Sequence, residues 1–292
     1  MKTKKNPNYA SGQLRLSRSR YGDIITIIIL ALFGIYSILP LVLSVSQALK
    51  PLNEIFLYPP RIFVENPTFN NFRLLSNLMS QSWVPFSRYI FNTVLVTVAG
   101  TVGHIIFASM AAYPMAKHKL PGVNFLFSIV VASLMFSPIV GDIANYITMS
   151  GLNMTDTYLA VIIPALGGSL GLFLMRQFMT QIHDSILEAA KVDGAKEWRI
   201  FWTIIMPSVK PAWLTLAIFS FQGLWNASNA TYVYSEQLKS LPYALSQVVS
   251  GGLARAGAGA AASIVMLIVP VVFFVLAQNQ IIETMSSSGM KE

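Results

Sequence analysis

The sequence predicts an all-α, polytopic membrane protein with six transmembrane helices, and three observations carry that expectation. Hydrophobic residues make up 54% of the 292 and charged residues only 11%, too few charges to coat a soluble surface of that size. The apolar residues fall in blocks close to the ~20 residues needed to cross ~30 Å of hydrocarbon. Between Ile24 and Ile282 no Asp, Glu, Lys or Arg lies in the core of a block.

The first block, Ile24–Val45, follows a basic start (Lys2, Lys4, Lys5, Arg15, Arg18, Arg20), as a secretory signal would. It is longer than the ~7–15 residues of a signal core and no small-x-small site closes it, so a retained helix is expected. Tyr89–Tyr113 is the second block. The third, Val123–Val140, is interrupted at Pro138, and the fifth, Lys210–Trp225, is short and follows Pro207 and Pro211. Breaks of this kind at membrane depth are tolerated inside protein or beside a wet cavity. The fourth, Tyr158–Phe178, carries Pro164, Gly167, Gly168 and Gly171, which read as a kink with close helix contact. Gly259–Ile282 is the sixth.

With the N-terminus inside, fourteen of the 20 Lys and Arg fall in cytoplasmic segments. The positive-inside rule therefore places both termini in the cytoplasm. It also accounts for the net charge of +8 without a nucleic-acid partner. The chain divides into a cytoplasmic N-terminal tail (1–22), a transmembrane domain (23–285) and a cytoplasmic C-terminal tail (286–292). There is no cysteine, hence no disulfide, thiolate metal site or cysteine nucleophile.

One cytoplasmic loop is substantial. From 183 to 209 it reads as two short helices. Ser185 and Glu188 have the spacing of a capping box that opens the first, and Gly194 suits the left-handed residue that ends it. The second is expected over Ala195–Ile205, stopped by Pro207. It is apolar on one side (Trp198, Phe201, Trp202, Ile205) and charged on the other (Lys196, Glu197, Arg199). Such an element lies in the membrane interface or fills a groove on a soluble partner.

Glu188-Ala189-Ala190, three residues, Gly194, nine residues, Ile204, one residue, Met206 and Pro207 resembles the coupling-loop signature of ABC importer permeases, EAA-x3-G-x9-I-x-L-P. Met206 stands where Leu is usual. Asp193-Gly194-Ala195, with Trp198 and Phe201, is similar to the maltose-type, carbohydrate-importing branch. The resemblance covers about Arg88 to the C-terminus and implies an ABC importer type I transmembrane domain. It further implies that Glu188, Ala189, Ala190, Asp193, Gly194, Ala195, Phe201 and Pro207 form the ATPase-coupling site, with Glu188 facing a basic residue of the ATPase. The implied partners are a second homologous permease subunit, two ATPase subunits and an extracytoplasmic solute-binding protein in a bacterial inner membrane. The tail Ser286–Lys291 resembles the Gly-x-Lys end of that branch, which reaches between the ATPases, and assigns Gly289 and Lys291 there.

No G-x-x-x-x-G-K-[ST] phosphate loop exists in the sequence. ATP and Mg are therefore expected on the partner ATPases, with no cofactor or metal on this chain and no catalytic residue. An ion-coupled secondary transporter, the rival class, would need intramembrane carboxylates or histidines. Only His104 is offered, in a setting that suits a hydrogen-bonded packing residue. Trp225, Asn226, Asn229 and Tyr232 mix aromatic rings, amides and a hydroxyl, as a path for an oligosaccharide would; an interfacial aromatic belt has the same composition. The extracytoplasmic Arg61, Arg73, Arg88, Lys239 and Arg255 would attract an acidic, uronate-type saccharide, and the family resemblance implies importers of acidic polysaccharides such as alginate among its members. A non-sugar solute carried by the same superfamily is the remaining alternative.

Overall fold

The computed structural model describes residues 20–288, all of them helix, turn or loop, with no strand among them. Helix α1 (Arg20–Leu49) is followed by a loop and a short α2 (Asn70–Ser80). Pro85, in extended conformation, launches α3 (Phe86–Lys117). Next come α4 (Val123–Ser133), α5 (Pro138–Gly151), α6 (Leu159–Leu166) and α7 (Ser169–Thr180). Then follow α8 (Asp184–Val192), α9 (Glu197–Ser208), α10 (Lys210–Asn226), α11 (Leu241–Val249) and α12 (Ala256–Ser288).

Four segments are long and apolar enough to cross a bilayer: Tyr21–Leu49, Phe86–Lys117, Leu159–Thr180 and Leu253–Gln278. The bent pair α9–α10 would make a fifth. The expected third span is not one helix. α4 stops at Ser133, and Pro138 opens α5 as its first residue, where proline's fixed φ and missing N–H are tolerated. The expected fifth has only 17 residues in α10. By length and composition alone, six spans are therefore not met.

α3 is the axis of the molecule, packed by α6, α7 and α10; α12 packs on α10 and carries α1, α2 and α11. Its contact with α7 is close because the glycines expected to make it do so. A Cβ on Gly171 would lie 2.3 Å from His104 Nε2. His104 is buried with both ring nitrogens engaged, Nδ1 2.8 Å from Ser220 Oγ and Nε2 3.1 Å from the Gly168 carbonyl. That is the packing role expected of it. The break at Gly167–Gly168 divides α6 from α7. α1 and α4 bury almost none of their apolar surface within the chain, as lipid-facing or partner-facing helices do.

Candidate functional site

Segment 183–209 forms a hairpin of α8 and α9 seated against the Lys117 end of α3. Lys117, its side chain 4% exposed, sets where α8 begins. Its ammonium donates to the Ile182 carbonyl and lies 2.8 Å from Asp184 Oδ1. That bond holds the Asp184 carboxyl below its usual range. His183 is extended and Asp184 is the first helical residue, where a carboxylate complements the helix dipole. The expected capping box is therefore corrected. Ser185 lies inside the helix with no cap bond, which puts Glu188 too far along to reach back.

Gly194 ends α8 as expected, with φ of 77°. Its N–H donates to the Lys191 carbonyl at 3.0 Å and the Ala195 N–H to the Ala190 carbonyl at 2.9 Å, a complete Schellman motif. α9 departs from expectation at both ends. It starts at Glu197 and runs through Pro207 to Ser208. Phe201–Ile205 takes a wider π-helical turn, with the Met206 N–H on the Phe201 carbonyl, and this accommodates the ring and missing N–H of Pro207. The chain then bends by 78° into α10.

One side of the hairpin is rooted and the other is free. Leu187, Ala190, Ile200, Phe201 and Ile205 pack with Tyr113, Met175, Met179 and Leu216 in one buried cluster. Glu197 reaches beyond it to α3: Tyr113 Oη donates to Oε2 at 2.6 Å, and Lys191 Nζ lies 2.7 Å from Oε1. Arg176 adds a tie from α7, its Nε donating to the Met115 carbonyl at 3.2 Å. Glu188, Ala189, Asp193, Gly194 and Pro207 are exposed, and Ala195 is half-buried. Glu188 forms no hydrogen bond or ion pair among the described residues. Val192, one turn on and 87% exposed, shares its face; Ile186, 49% exposed, is two residues before Glu188 and faces another way. Of the eight expected coupling residues, Phe201 and Ala190 are thus root, and the others lie on or beside the free face. The anchors Tyr113, Lys117 and Asp184 were not singled out from sequence, and Glu197 was read only as part of a charged helix side; Tyr113 and Lys117 at i, i+4 on a helix end were the available signal. Gly289 and Lys291 lie outside the described residues.

At the Phe86 end of α3, the residues expected to line a solute path separate. Trp225 is 3% exposed, its Nε1–H on the Met266 carbonyl at 3.1 Å. Asn229 is 4% exposed, donating to the Leu238 carbonyl and accepting from the Ser240 N–H. Trp225 is used in tying α10 to α12, and Asn229 in holding segment 226–241. Asn226 is exposed, and Tyr232, half-buried, points its hydroxyl at Asp142 Oδ1, 3.5 Å away. Burial and the Asp142 carboxylate push the Tyr232 phenol up.

The five cations expected to attract an acidic saccharide are mostly engaged. Arg61 pairs with Glu65. Arg88 donates to the Gln237 carbonyl at 3.2 Å and to Tyr158 Oη at 3.3 Å. Lys239 is 6% exposed, with its ammonium 4.1 Å from the Tyr243 ring centroid. Arg73, on α2, and Arg255, before α12, are exposed.

Residues 104–285 match the family described as the binding-protein-dependent transport system inner membrane component. The chain is 30% identical to protein LplC of Bacillus subtilis over 71% of its own length and 68% of the relative's. It is 32% identical to the sn-glycerol-3-phosphate transport system permease protein UgpE of Yersinia enterocolitica, over 49% of this chain and 50% of that one. It is 25% identical to the diacetylchitobiose uptake system permease protein NgcG of Streptomyces coelicolor, over 68% and 64%. The matches thus span 50% to 68% of the length of these curated relatives. Its fold is similar to that of a chain in a bacterial ABC transporter involved in importing the acidic polysaccharide alginate, with TM-score 0.73, 22% identity, and 90% and 98% of the two chains covered.

Proposed function

From the premise that this chain belongs to the family of inner-membrane components of binding-protein-dependent transport systems, we propose that it is one of two permease subunits of an ABC importer for an oligosaccharide. The observation that carries the reading is the hairpin. An exposed Glu188, unpaired among the described residues, and apolar Val192 one turn on share a face of a helix that is rooted on α3 through Lys117 and Glu197. A free acidic and apolar face on a rigid root suits a groove on a soluble partner with a basic residue in it.

In this reading the hairpin faces the cytoplasm, as do both termini, and docks on an ATPase subunit. The ATPases hold ATP and Mg; this chain does no chemistry. Closure of two ATPases displaces the hairpin as a body, because its buried cluster moves with the ends of α3 and α7. The 78° bend at Val209 passes that displacement to α10. The path between this chain and a second, homologous permease then alternates between inward-facing and outward-facing states, and an extracytoplasmic binding protein delivers the solute. An ion-coupled mechanism would have to run through His104, whose two ring nitrogens are already bonded.

The relatives' names favour two solute classes, a neutral disaccharide for NgcG and a small phosphorylated polyol for UgpE. Tyr232 beside the exposed Asp142 carboxylate favours the sugar. The deciding experiment is affinity purification of the tagged chain from its native membrane, followed by reconstitution. Co-purification of an ATPase and a second permease, with ATP hydrolysis stimulated by a sugar-loaded binding protein, is the expected result. A chain that purifies without an ATPase overturns the reading.

A further inference from the structure

Five side chains that no family motif includes meet at the Phe86 end of the molecule, where α5 faces segment 232–235. Tyr234 Oη donates to Tyr146 Oη at 2.6 Å, and Tyr232 Oη lies 3.5 Å from Asp142 Oδ1. Asp142 and Tyr146 sit at i, i+4 on α5 and so share a face. The segment opposite is held by Asp156, itself in a left-handed conformation at φ 60°. Its carboxylate accepts from the Tyr234 N–H at 2.9 Å, the Ser235 N–H at 2.7 Å and the Ser235 hydroxyl, while its own N–H donates to the Tyr232 carbonyl at 2.8 Å. The backbone that carries Tyr232 and Tyr234 is therefore held before anything binds, and the rings of Tyr146 and Tyr234 stand 37% and 53% exposed.

Resting on the reading of this chain as half of a sugar path, we propose that Asp142, Tyr146, Tyr232 and Tyr234 form a contact surface for an uncharged glycan at the outer mouth of that path. Exposed rings offer flat apolar faces to the C–H side of a pyranose. Asp142, exposed and making one long hydrogen bond, keeps acceptor sites for sugar hydroxyls. Asn226, exposed nearby in sequence at the end of α10, adds an amide.

The sign of the charge selects against an acidic solute. Asp142 and Asp156 bring two carboxylates to the patch. The basic groups near it are Arg88, exposed and oriented by the Gln237 carbonyl and Tyr158 hydroxyl, and Lys239, 6% exposed with its ammonium on the Tyr243 ring. Lys239 helps hold Asp156 ionised but is too buried to meet a solute. Exposed Arg73 and Arg255 stand on other elements, α2 and the turn before α12. Lys239 offsets the satisfied Asp156, so discrimination against a uronate or phosphate rests on the exposed Asp142 carboxylate, which repels an anion within ~8 Å, about one Debye length at physiological salt.

The test uses the assembled complex in nanodiscs, with Ser228→Cys as the single thiol of a chain that has no native cysteine. Maleimide labelling is timed with neutral pentasaccharides (xylo-, cello-, malto- and N-acetylchito-) and with pentagalacturonate and glycerol 3-phosphate. The expected result is that at least one neutral glycan slows labelling at a concentration roughly tenfold below that needed by either anion. Tyr146→Ala should abolish that protection and Tyr146→Phe, which keeps the ring, should retain it. Asp142→Asn should narrow the gap between neutral and acidic glycans. Equal or better protection by the anions, or no protection by any neutral glycan, overturns the proposal. A complex that assembles and couples ATP hydrolysis yet shows no discrimination sinks this inference alone. Failure to assemble with an ATPase sinks the functional reading and this inference together.

Discussion

Tyr113, near the end of α3, donates its hydroxyl to Glu197 at 2.6 Å, joining the longest buried helix to the first turn of α9. Lys191 and His118 approach the other carboxylate oxygen at 2.7 and 3.8 Å, so one acid collects contacts from α3, the turn after it and α8. Glu197 therefore belongs to the root of the hairpin. Glu197→Ala should leave the complex assembled and loosen transmission, lowering sugar-stimulated ATP hydrolysis more than ATPase co-purification. Tyr113→Phe removes one hydrogen bond and should cost about 1–2 kcal/mol of stability, read as a lower thermal midpoint. Equal loss of assembly and stimulation in Glu197→Ala would place that residue in the docking face instead.

Gly194 has open space around the position a Cβ would take, so its requirement is conformational, not steric. At φ 77°, a β-branched residue is strained by about 1–3 kcal/mol. Gly194→Val should therefore misdirect α9 and lose coupling. Gly194→Asn, which visits the left-handed region more readily, should retain most of it. ATP hydrolysis of the reconstituted variants distinguishes the two.

What was legible in the sequence follows from how local each determinant is. The hairpin and its Gly194 stop were readable because a left-handed terminus is specified within a few residues. The start of α8 was not, because Lys117, some 65 residues away in sequence, holds the Ile182 carbonyl and shifts the first turn. Pro207 looked like a stop because a wide π turn leaves no local mark. Trp225 and Asn229 had a sugar-binding composition, but long-range bonds to Met266, Leu238 and Ser240 decide their burial. The tyrosine patch depends on α5 meeting residues about 90 positions later.

Asp156 gives the segment 232–235 a pH dependence. Hydrogen bonds from Ser235 and Tyr234 hold its carboxyl below the usual 3.8. A depressed folded-state value means that stabilisation is fully present above about 3.8, and falls away as pH drops through the lower folded value. Labelling of Val233→Cys, at a position 0% exposed within the segment, with a pH-tolerant thiol reagent should stay slow at pH 5 and rise below that window. Asp156→Asn should show the faster rate at every pH; a variant as slow as the parent would mean that the segment is held by something else.

Topology is testable with the same cysteine-free background. Ala195→Cys, after the end of α8, should react only from the cytoplasmic side of inverted vesicles. Asn70→Cys, at the start of α2, should react only from outside in intact cells. Labelling of Ala195→Cys by an impermeant reagent in intact cells would invert the orientation and remove the docking reading with it.

Glu188 and Ser185 separate docking from helix stability. Ser185 makes no cap bond, so Ser185→Ala should change stability by less than the ~0.5–2 kcal/mol lost when a true N-cap is removed. Glu188 is exposed and unpaired, so Glu188→Gln should leave the isolated chain's thermal midpoint unchanged. On the proposed reading, the same carboxylate faces a basic residue of the ATPase in the complex, away from water. Removing one member of such a desolvated pair costs ~2–5 kcal/mol, much of it from leaving the other charge unpaired. Every ~1.4 kcal/mol is tenfold in affinity, so ATPase association should weaken by at least an order of magnitude. Charge reversal at the facing residue should restore part of it when combined with Glu188→Lys. Titration of purified ATPase onto the permease pair in nanodiscs measures this directly. Wild-type affinity in Glu188→Gln would remove the carboxylate from the docking surface and leave contact to Val192 alone.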